Sequence, residues 1–525
     1  MNPSYQTLSV AAILKESADR TPDAVAIVVG DERIGYADLW RQTREYAGAL
    51  RSRGVKPGDA VAMLVPNVAD FPRIYYAILS LGAVVVPVHA LLKADEIEYV
   101  LRDSGATILI CAAPLLAEGE WGGALAGVPV FSVLAPGAIE GVPQLEVLAR
   151  DAEPIDTYVP RSPSDTATIL YTSGTTGRPK GALGSHLALV EQTHTLLLNT
   201  FDLSSADTIL GCLPLFHTFG QTCTLNTGFR TGATVVLLPK FTGESALRAL
   251  IDSECTIMMG VPTMYIALLE AAKNTDERPN LRYAISGGAS LPIAVIERFK
   301  QEFGVDIYEG YGLTETSPVA SFNHVGREPR AGSIGQAIWG VELEIAQADL
   351  DDRIELLPTD ELGEIVIRGH NLMSGYLGRP EDSAAAVVDG WFRTGDLGTK
   401  DSDGYLWIVD RKKDMITRNG YNVYPREVEE VLSGHPDVSS VAVFGVAHET
   451  HGQEVMACVV LTADSSSDAT AAADALLDFA KEKLAAYKYP RRIEIVEELP
   501  LGPSGKVLKR ELVATYEHEE SDARI

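Results

Sequence analysis

The chain has 525 residues, a length that suits a large multi-part domain together with a smaller one. Hydrophobic residues make up 46% of it and charged residues 22%, which is ordinary for a globular protein. Acidic side chains number 72 and basic ones 44, so the net charge of −28 argues against nucleic acid as a partner, and any anionic ligand has to be held by local donors.

The N-terminal part of the chain carries no pattern for export or membrane insertion. Residues 1–20 lack the basic start and continuous apolar stretch of a signal peptide. The longest apolar run, 76–92, contains glycine, proline and histidine, and so predicts two buried elements joined by a turn. The cysteines are odd in number and lack metal-like pair spacing, which predicts free thiols and a cytoplasmic location. They are Cys111, Cys212, Cys223, Cys255 and Cys458.

Short β-rich runs alternate with helical patterns through the first 310 residues. Such alternation predicts mostly parallel sheets covered by helices, with ligands at the carboxyl ends of the strands. The predicted strands include 24–29, 60–65, 83–88, 107–112, 207–215, 232–240, 255–261, 281–286 and 305–310, and the first helices between them are 36–54 and 93–105.

The pattern changes near residue 340. Closely spaced strands at 341–346, 363–369 and 404–410 predict a β-rich subdomain, and a new small unit with two helices and three strands follows from 410. We therefore predict an α/β fold. Its large N-terminal domain, 1–409, has two parallel-sheet α/β subdomains plus the β-rich one, and 410–525 form a small, mobile α+β domain.

The stretch 171–181, YTSGTTGRPKG, follows an apolar strand and precedes a helical pattern at 183–199. Strand, glycine-rich turn and helix is an arrangement that gathers backbone amides around a phosphate. It is not a Walker A loop, because the lysine lies between proline and glycine. A flexible surface loop has a similar composition. The candidate phosphate contacts are Thr172, Ser173, Gly174, Thr175, Thr176, Gly177 and Lys180.

Seven motifs in order resemble the signatures of the adenylate-forming superfamily, which includes acyl-CoA synthetases, peptide-synthetase adenylation domains and insect luciferases. The sequences of these motifs are most similar to those of bacterial fatty-acyl-CoA ligases. The motifs are YTSGTTGRPKG at 171–181, PLFHTFG at 214–220, SGGASLP at 286–292, YEGYGLTET at 308–316, GWFRTGDLG at 390–398, DRKKDMITRNGYNVYPREVE at 410–429 and LPLGPSGK at 499–506. The resemblance implies that a carboxylate attacks ATP to give acyl-AMP and pyrophosphate, and that the thiol of coenzyme A then displaces AMP, with Mg²⁺ as cofactor.

The resemblance also implies a nucleotide site. Tyr311 would face adenine, Asp396 would accept from the ribose hydroxyls, and Arg411 would reach the ribose and phosphate side. Thr172 and Glu315 would hold Mg²⁺, for which a carboxylate is a suitable hard ligand. A buried tyrosine, a turn aspartate and a solvated arginine are the structural alternatives. The implied ATP-binding residues are Thr172, Ser173, Gly174, Thr175, Thr176, Gly177, Lys180, Gly288, Ala289, Tyr311, Gly312, Thr314, Asp396, Arg411 and Lys506.

Two segments of the small domain would serve the two steps in turn. In the family, the lysine matching Lys506, on the loop 502–506, bridges the attacking carboxylate and the α-phosphate. Lys413 falls in the hinge, 410–414. Rotation there would replace Lys506 by the segment with Gly420 and Tyr421, which would line the thiol channel.

The acyl site would lie around His217, Gly287 and Gly288, with His217 orienting the carboxylate. A base is not needed, because a carboxylic acid is already ionised near pH 7. Amino-acid-activating relatives carry an aspartate where His217 stands, so an amino acid is disfavoured. The segments expected around the acid offer Cys212, Phe216, Phe219, Gln221, Cys223 and Met264.

These residues predict an AMP-forming ligase for a medium- or long-chain fatty acid. The alternatives are an aryl- or hydroxycinnamate-CoA ligase, a ligase that loads a carrier protein, and, in a different class, a luciferase-like oxygenase. A homodimer and peripheral membrane contact are left open.

Overall fold

A computed structural model describes residues 6–172, 178–448, 450–463, 465, 468–502 and 506–522. The strands in these residues, in chain order, are β1 (Val25–Val29), β2 (Glu32–Gly35), β3 (Ala60–Leu64), β4 (Val84–Pro87), β5 (Ile108–Ala112), β6 (Val130–Val133), β7 (Thr166–Thr172), β8 (Lys180–Ser185), β9 (Thr208–Gly211), β10 (Thr234–Leu237), β11 (Ile257–Gly260), β12 (Tyr283–Ser286), β13 (Ile307–Gly312), β14 (Val319–Phe322), β15 (Gln336–Ala337), β16 (Val341–Ala346), β17 (Gly363–Gly369), β18 (Val387–Val388), β19 (Trp391–Lys400), β20 (Leu406–Arg411), β21 (Ile416–Arg418), β22 (Tyr421–Val423), β23 (Val438–His448), β24 (Gly452–Leu461) and β25 (Arg492–Ile495).

The α-helices are α1 (Ala12–Arg20), α2 (Tyr36–Ser52), α3 (Asp70–Ser80), α4 (Ala94–Ser104), α5 (Leu116–Ala126), α6 (Leu145–Asp151), α7 (His186–Thr195), α8 (Thr227–Thr231), α9 (Gly243–Asp252), α10 (Pro262–Ala272), α11 (Ile293–Phe303), α12 (Pro380–Ala386), α13 (Pro425–Ser433), α14 (Ala469–Lys483) and α15 (Lys509–Asp522). Short 3₁₀ turns cover Ala113–Leu115 and Thr314–Thr316, and π-helical turns cover Leu196–Thr200 and Phe219–Asn226. None of the helices in the described residues combines the length and the apolarity that a bilayer crossing requires.

Two largely parallel sheets form the N-terminal part. One has the order β6-β5-β3-β4-β7-β8, and the other β15-β14-β13-β12-β11-β9-β10-β1-β2. The antiparallel members are β8 in the first sheet and β2, β14 and β15 in the second. Every residue of β3 and β5 is buried, as expected for strands covered on both faces, and this explains their continuous apolar sequences.

The β-rich subdomain is an antiparallel sheet of order β16-β17-β19-β18, with β20 paired to β19. It shares one core with the nine-stranded sheet, since Leu343 and Ile365 cluster with Ile285 and Phe322. The C-terminal part has its own sheet, β22-β21-β24-β23 with β25 beside β24, and its own core, in which α13 and α14 pack on the sheet. The predicted α/β class and its subdomains are therefore confirmed.

One local prediction is wrong. The glycine-rich stretch does not lead directly into a helix, because residues 180–185 form β8, which pairs antiparallel with β7, and α7 begins only at His186. The stretch therefore joins two neighbouring strands. The burial of β8 does not alternate with a strand period, so its sequence carries no local sign of a strand ahead of the helical pattern at 183–199. The domain division at 409/410 stays a prediction; β20 continues to Arg411, and the next strand begins at Ile416.

Candidate functional site

A cavity of about 1490 Å³ lies where the large and small parts of the molecule meet. Its lining comes from segments far apart in the chain, which include the end of β4, α4, the end of β7, the residues before the π-helical turn at 219, the ends of β12 and β13, the turn in β19 and the connection after β20. Lys506 reaches it from the C-terminal part. The carboxyl ends of β12 and β13 open into this space, which is where parallel sheets bind ligands.

The glycine-rich stretch borders this cavity through its two stems. Thr172, at the end of β7, lines the cavity, and so do Arg178 and Pro179. Ser173, Gly174, Thr175, Thr176 and Gly177 lie outside the described residues. The Lys180 ammonium donates to Oδ1 of Asp382 at 2.6 Å. A phosphate that bound Lys180 would therefore compete with a carboxylate of this chain.

Tyr311, Asp396 and Arg411 form a connected group. The Tyr311 hydroxyl donates to Oδ2 of Asp396 at 2.6 Å, and Nε of Arg411 lies 3.2 Å from its Oδ1. The register of β19 and β20 places Asp396 directly opposite Arg411. Asp396 is only 3% exposed, so these donors stabilise a buried carboxylate. The structure thus brings the three residues into one connected group, and their roles at the ribose and adenine stay a prediction.

Glu315 lies on the 3₁₀ turn Thr314–Thr316, and both Thr314 and Glu315 line the cavity with Gly312. Oε1 of Glu315 accepts from the Tyr376 hydroxyl at 2.8 Å. A carboxylate with a hydroxyl donor behind it and a cavity in front is a donor set that fits Mg²⁺.

A second arrangement of possible metal ligands occurs in the described part of the C-terminal unit. His448, His451 and Glu454 have ligand atoms within 4.8 Å of one another. Both oxygens of Glu454 accept from the guanidinium of Arg418, which is buried. This fixed positive charge disfavours a cation there, so Glu315 is the better candidate.

Lys506 enters the cavity from the C-terminal part. Its Cε lies 3.6 Å from where a Cβ on Gly288 would be, so this lysine packs against the glycine backbone at the end of β12. Burial, and secondarily Arg411, lower the pKa of Lys506 to about 8, while Asp396 and Glu315 act in the opposite direction. The ammonium is therefore surrounded by the predicted nucleotide residues.

His217 faces the same space. Its Nδ1 accepts from the backbone N–H of Phe219 at 3.2 Å, so the neutral ring carries its proton on Nε2. Burial, together with Lys506 and His89, lowers the pKa of His217 to about 4. Near pH 7 the ring is uncharged and can donate a hydrogen bond to a carboxylate. It is poorly suited to hold a proton as a base.

The most buried part of the lining is apolar and aromatic. The Phe219 ring would lie 3.2 Å from a Cβ on Gly287, and the ring of Phe322 lies against Gly310. Phe201 and Phe322 pack edge to face with centroids 5.0 Å apart, and they are 4% and 1% exposed. The two glycines therefore let the rings of Phe219 and Phe322 approach the backbone closely, and Phe201, Phe219 and Phe322 together form an aromatic wall of the cavity.

The sequence located this region only in part. Of the expected side chains, Phe216, Phe219 and Cys223 line the cavity, whereas Cys212, Gln221 and Met264 are not among its lining residues. Gly287 and Gly288 line it, and Ala289 is exposed outside it. Sequence reasoning missed Phe201, Pro318, Val319 and Phe322. Pro318 and Val319 directly follow the motif at 308–316 and could have been found, but Phe201 lies in no motif.

The predicted thiol-channel residues are not at the cavity. Gly420 occupies the two-residue turn between β21 and β22, where Asn419 and Gly420 both have left-handed φ, 52° and 79°. Tyr421 is 59% exposed and stacks on Tyr487 at 4.8 Å. Lys413 does line the cavity, and burial lowers its pKa, with Arg411 adding to the effect. The structure thus presents Lys506, and not this hairpin, to the cavity.

In comparisons with known proteins, the matching family models are those of AMP-binding enzymes, and the similar proteins are CoA ligases or CoA synthases. The family described as "AMP-binding enzyme" matches residues 14–377, and the "AMP-binding enzyme C-terminal domain" matches residues 427–506. A feruloyl-CoA synthase of Amycolatopsis sp is 38% identical over 501 residues, covering 94% of this chain and 96% of that protein. A long-chain-fatty-acid–CoA ligase of Bacillus subtilis (strain 168) is 32% identical over 533 residues, covering 96% and 94%. The crystal structure of the anthranilate CoA ligase AuaEII in complex with anthranoyl-AMP superposes with a TM-score of 0.90 at 28% identity, over 98% of each chain.

Proposed function

Because the chain belongs to the AMP-binding enzyme family and is an AMP-forming acyl-CoA ligase, we propose that its substrate is a compact apolar acid with an aromatic ring. The observation that carries this is the aromatic wall of the cavity, in which Phe201, Phe219 and Phe322 lie beside Gly287 and Gly310. Flat rings fit between aromatic walls, where stacked and edge contacts add to the burial of apolar area. The relatives named for feruloyl and anthranilate acids support the same choice.

A fatty acid is the second candidate. It is favoured by the relative named as a long-chain-fatty-acid–CoA ligase and by the apolar character of the buried lining. Phe201 and Phe322 line the cavity, so a long acyl chain that extends along this wall would contact both rings. Because both rings are almost fully buried, enlarging the cavity there requires them to move.

The proposed first step joins a carboxylate oxygen of the acid to the α-phosphorus of ATP and releases pyrophosphate. His217 donates from Nε2 to the carboxylate, and Lys506 supplies positive charge where the two anions meet. Asp396 accepts from the ribose, Tyr311 faces the adenine, and Lys180 leaves Asp382 for a phosphate oxygen. Bound Mg²⁺, held by Glu315 with Thr172, would neutralise phosphate charge.

The proposed second step joins the sulfur of coenzyme A to the acyl carbon, releases AMP, and gives up the thiol proton to solvent. The small domain, 410–525, would rotate on the large domain, 1–409, about the hinge at Lys413. Lys506 would leave the cavity, and the exposed hairpin with Gly420 and Tyr421 would take its place. In this structure the hairpin is exposed while Lys506 lies in the cavity. This arrangement supports the assignment of the described conformation to the first step and of a rotated one to the second.

An acid panel tests the function. We expect pyrophosphate release with MgATP to have the highest kcat/KM for benzoate-type and cinnamate-type acids, with lower values for straight-chain acids of about 12 or more carbons. Acyl-CoA should appear only when coenzyme A is added. Release with amino acids alone, or transfer to a carrier protein but not to coenzyme A, would contradict the proposal. Oxygen uptake with light emission would favour the luciferase-like alternative.

The variant Phe322→Leu, assayed with the same acid panel, tests whether the aromatic wall selects the acid. Removing the ring should enlarge the cavity beside Phe201 and take away an aromatic contact, so kcat/KM for the straight-chain acids should rise about tenfold relative to the aromatic acids. The melting temperature of the variant reports whether the shared core is retained. An unchanged ratio in a folded variant would place the acid elsewhere in the cavity.

The pKa of Lys506 makes adenylation depend on pH. The lysine is charged below about pH 8 and neutral above it, because burial lowers its pKa to about 8. About half of the population is charged at pH 8 and about one-tenth at pH 9, so kcat/KM for pyrophosphate release should fall roughly fivefold between pH 8 and pH 9 and about tenfold between pH 7 and pH 9. Lys506→Arg should be slower but flat over this range, since a guanidinium stays charged. Equal profiles for the two proteins would exclude Lys506 as the titrating group.

A further inference from the structure

Tyr376 is fixed beside the glycine-rich stretch by backbone pairing. Residues 374–377 run antiparallel to β8, with Ala182 opposite Tyr376. Leu377 N–H donates to Gly181 O at 2.8 Å, Leu183 N–H donates to Gly375 O at 3.0 Å, and Ser374 N–H donates to Leu183 O at 2.9 Å. The position of the Tyr376 side chain is therefore set by the strand that follows the stretch 171–181.

The Tyr376 side chain contacts two predicted MgATP residues at once. Its hydroxyl donates to Oε1 of Glu315 at 2.8 Å, and its ring centroid lies 5.3 Å from Nζ of Lys180. The backbone of Glu315 is held from the same segment, because Met373 N–H donates to its carbonyl at 2.8 Å. Burial, reinforced by Glu315, raises the pKa of Tyr376, so the hydroxyl stays a donor. Hydrogen bonds to ionised groups are among the stronger ones in proteins.

We propose that Tyr376 is a positioning residue for MgATP, which aligns the Glu315 carboxylate through its hydroxyl and the Lys180 ammonium through its ring. The inference rests on the proposed nucleotide site. It adds to that site a residue that contacts both the Glu315 carboxylate and the Lys180 ammonium. An aromatic face within about 6 Å attracts an ammonium, and it leaves the Lys180 charge available to a phosphate. A hydroxyl behind a metal-binding carboxylate orients that carboxylate and tunes its affinity.

Nucleotide binding without turnover tests the proposal. α,β-Methylene-ATP is titrated calorimetrically into the full chain, without acid, once in EDTA and once with Mg²⁺. We expect Mg²⁺ to tighten binding by the wild-type chain. Tyr376→Phe should lose about tenfold in affinity with Mg²⁺ and bind as the wild type does in EDTA. Tyr376→Leu, which also removes the ring, should in addition lose about threefold in EDTA.

Tyr36→Phe is the matched control. The Tyr36 hydroxyl donates to Ala233 O at 2.6 Å in the core, and the residue does not line the cavity. This variant should keep the wild-type affinities under both conditions. A Tyr376→Phe chain that retains the full Mg²⁺ effect, or that loses the same factor in EDTA as in Mg²⁺, overturns the inference while wild-type binding upholds the proposed function. A wild-type chain that binds no nucleotide overturns both.

Discussion

Lys506→Ala should lower the rate of acyl-adenylate formation by about 10³-fold and largely spare the conversion of supplied acyl-AMP to acyl-CoA. The physical reason is that the Lys506 ammonium lies against Gly288 among Arg411, Asp396 and Glu315, where carboxylate and triphosphate charges would meet. Its charge acts while the new bond forms, and it would leave the cavity for the second step. Pyrophosphate release and thioester formation from synthetic acyl-AMP measure the two steps separately.

Lys481→Ala is the matched control for this change. Lys481 lies on α14 of the same part of the chain, pairs with Asp478 at 2.9 Å and is partly exposed. Its removal should change neither step, since surface ion pairs contribute little. Equal loss of both steps in Lys506→Ala would contradict the assignment of the lysine to the first step alone.

Asp396→Asn should lower kcat/KM for ATP by about 100-fold. The change keeps the size of the side chain and removes its charge, so an amide N–H₂ would meet the Tyr311 hydroxyl or the Arg411 guanidinium, which are both donors. The ribose hydroxyls would also lose a charged acceptor. Steady-state kinetics at saturating acid, with ATP varied, measure the effect.

Asp478→Asn is the corresponding surface control. The Asp478 side chain is 75% exposed, and an exposed ion pair such as the one with Lys481 contributes little to the stability of the fold. It should leave the ATP dependence unchanged. If Asp396→Asn altered kcat/KM for the acid but not for ATP, Asp396 would belong to the acyl site and the nucleotide would have to lie elsewhere.

Much of the fold could be predicted from the sequence. The strands at 60–64 and 108–112 are continuous apolar runs because both faces are covered, and such runs are recognisable locally. The sequence pattern at 183–199 predicts a helix, whereas β8 continues to Ser185 and α7 begins at His186. The prediction starts too early because a short strand directly before an apolar helix resembles an extension of that helix. Strand β8 exists because it pairs with β7 on one edge and with residues 374–377 on the other side, and neither partner is visible in the local sequence.

The sequence by itself determined which residues are the candidates for the chemistry. The cations, carboxylates and glycines of the motifs lie at short spacings, since most of the motifs fall at a strand end and the turn beside it, where the local backbone sets the side chains. Only the tertiary structure decided that Phe201 and Phe322 line the cavity, that Tyr376 contacts both Glu315 and Lys180, and that Lys506 rather than the Tyr421 hairpin faces the cavity. These relations join residues far apart in the chain, and they depend on how sheets and domains pack, which no local pattern specifies.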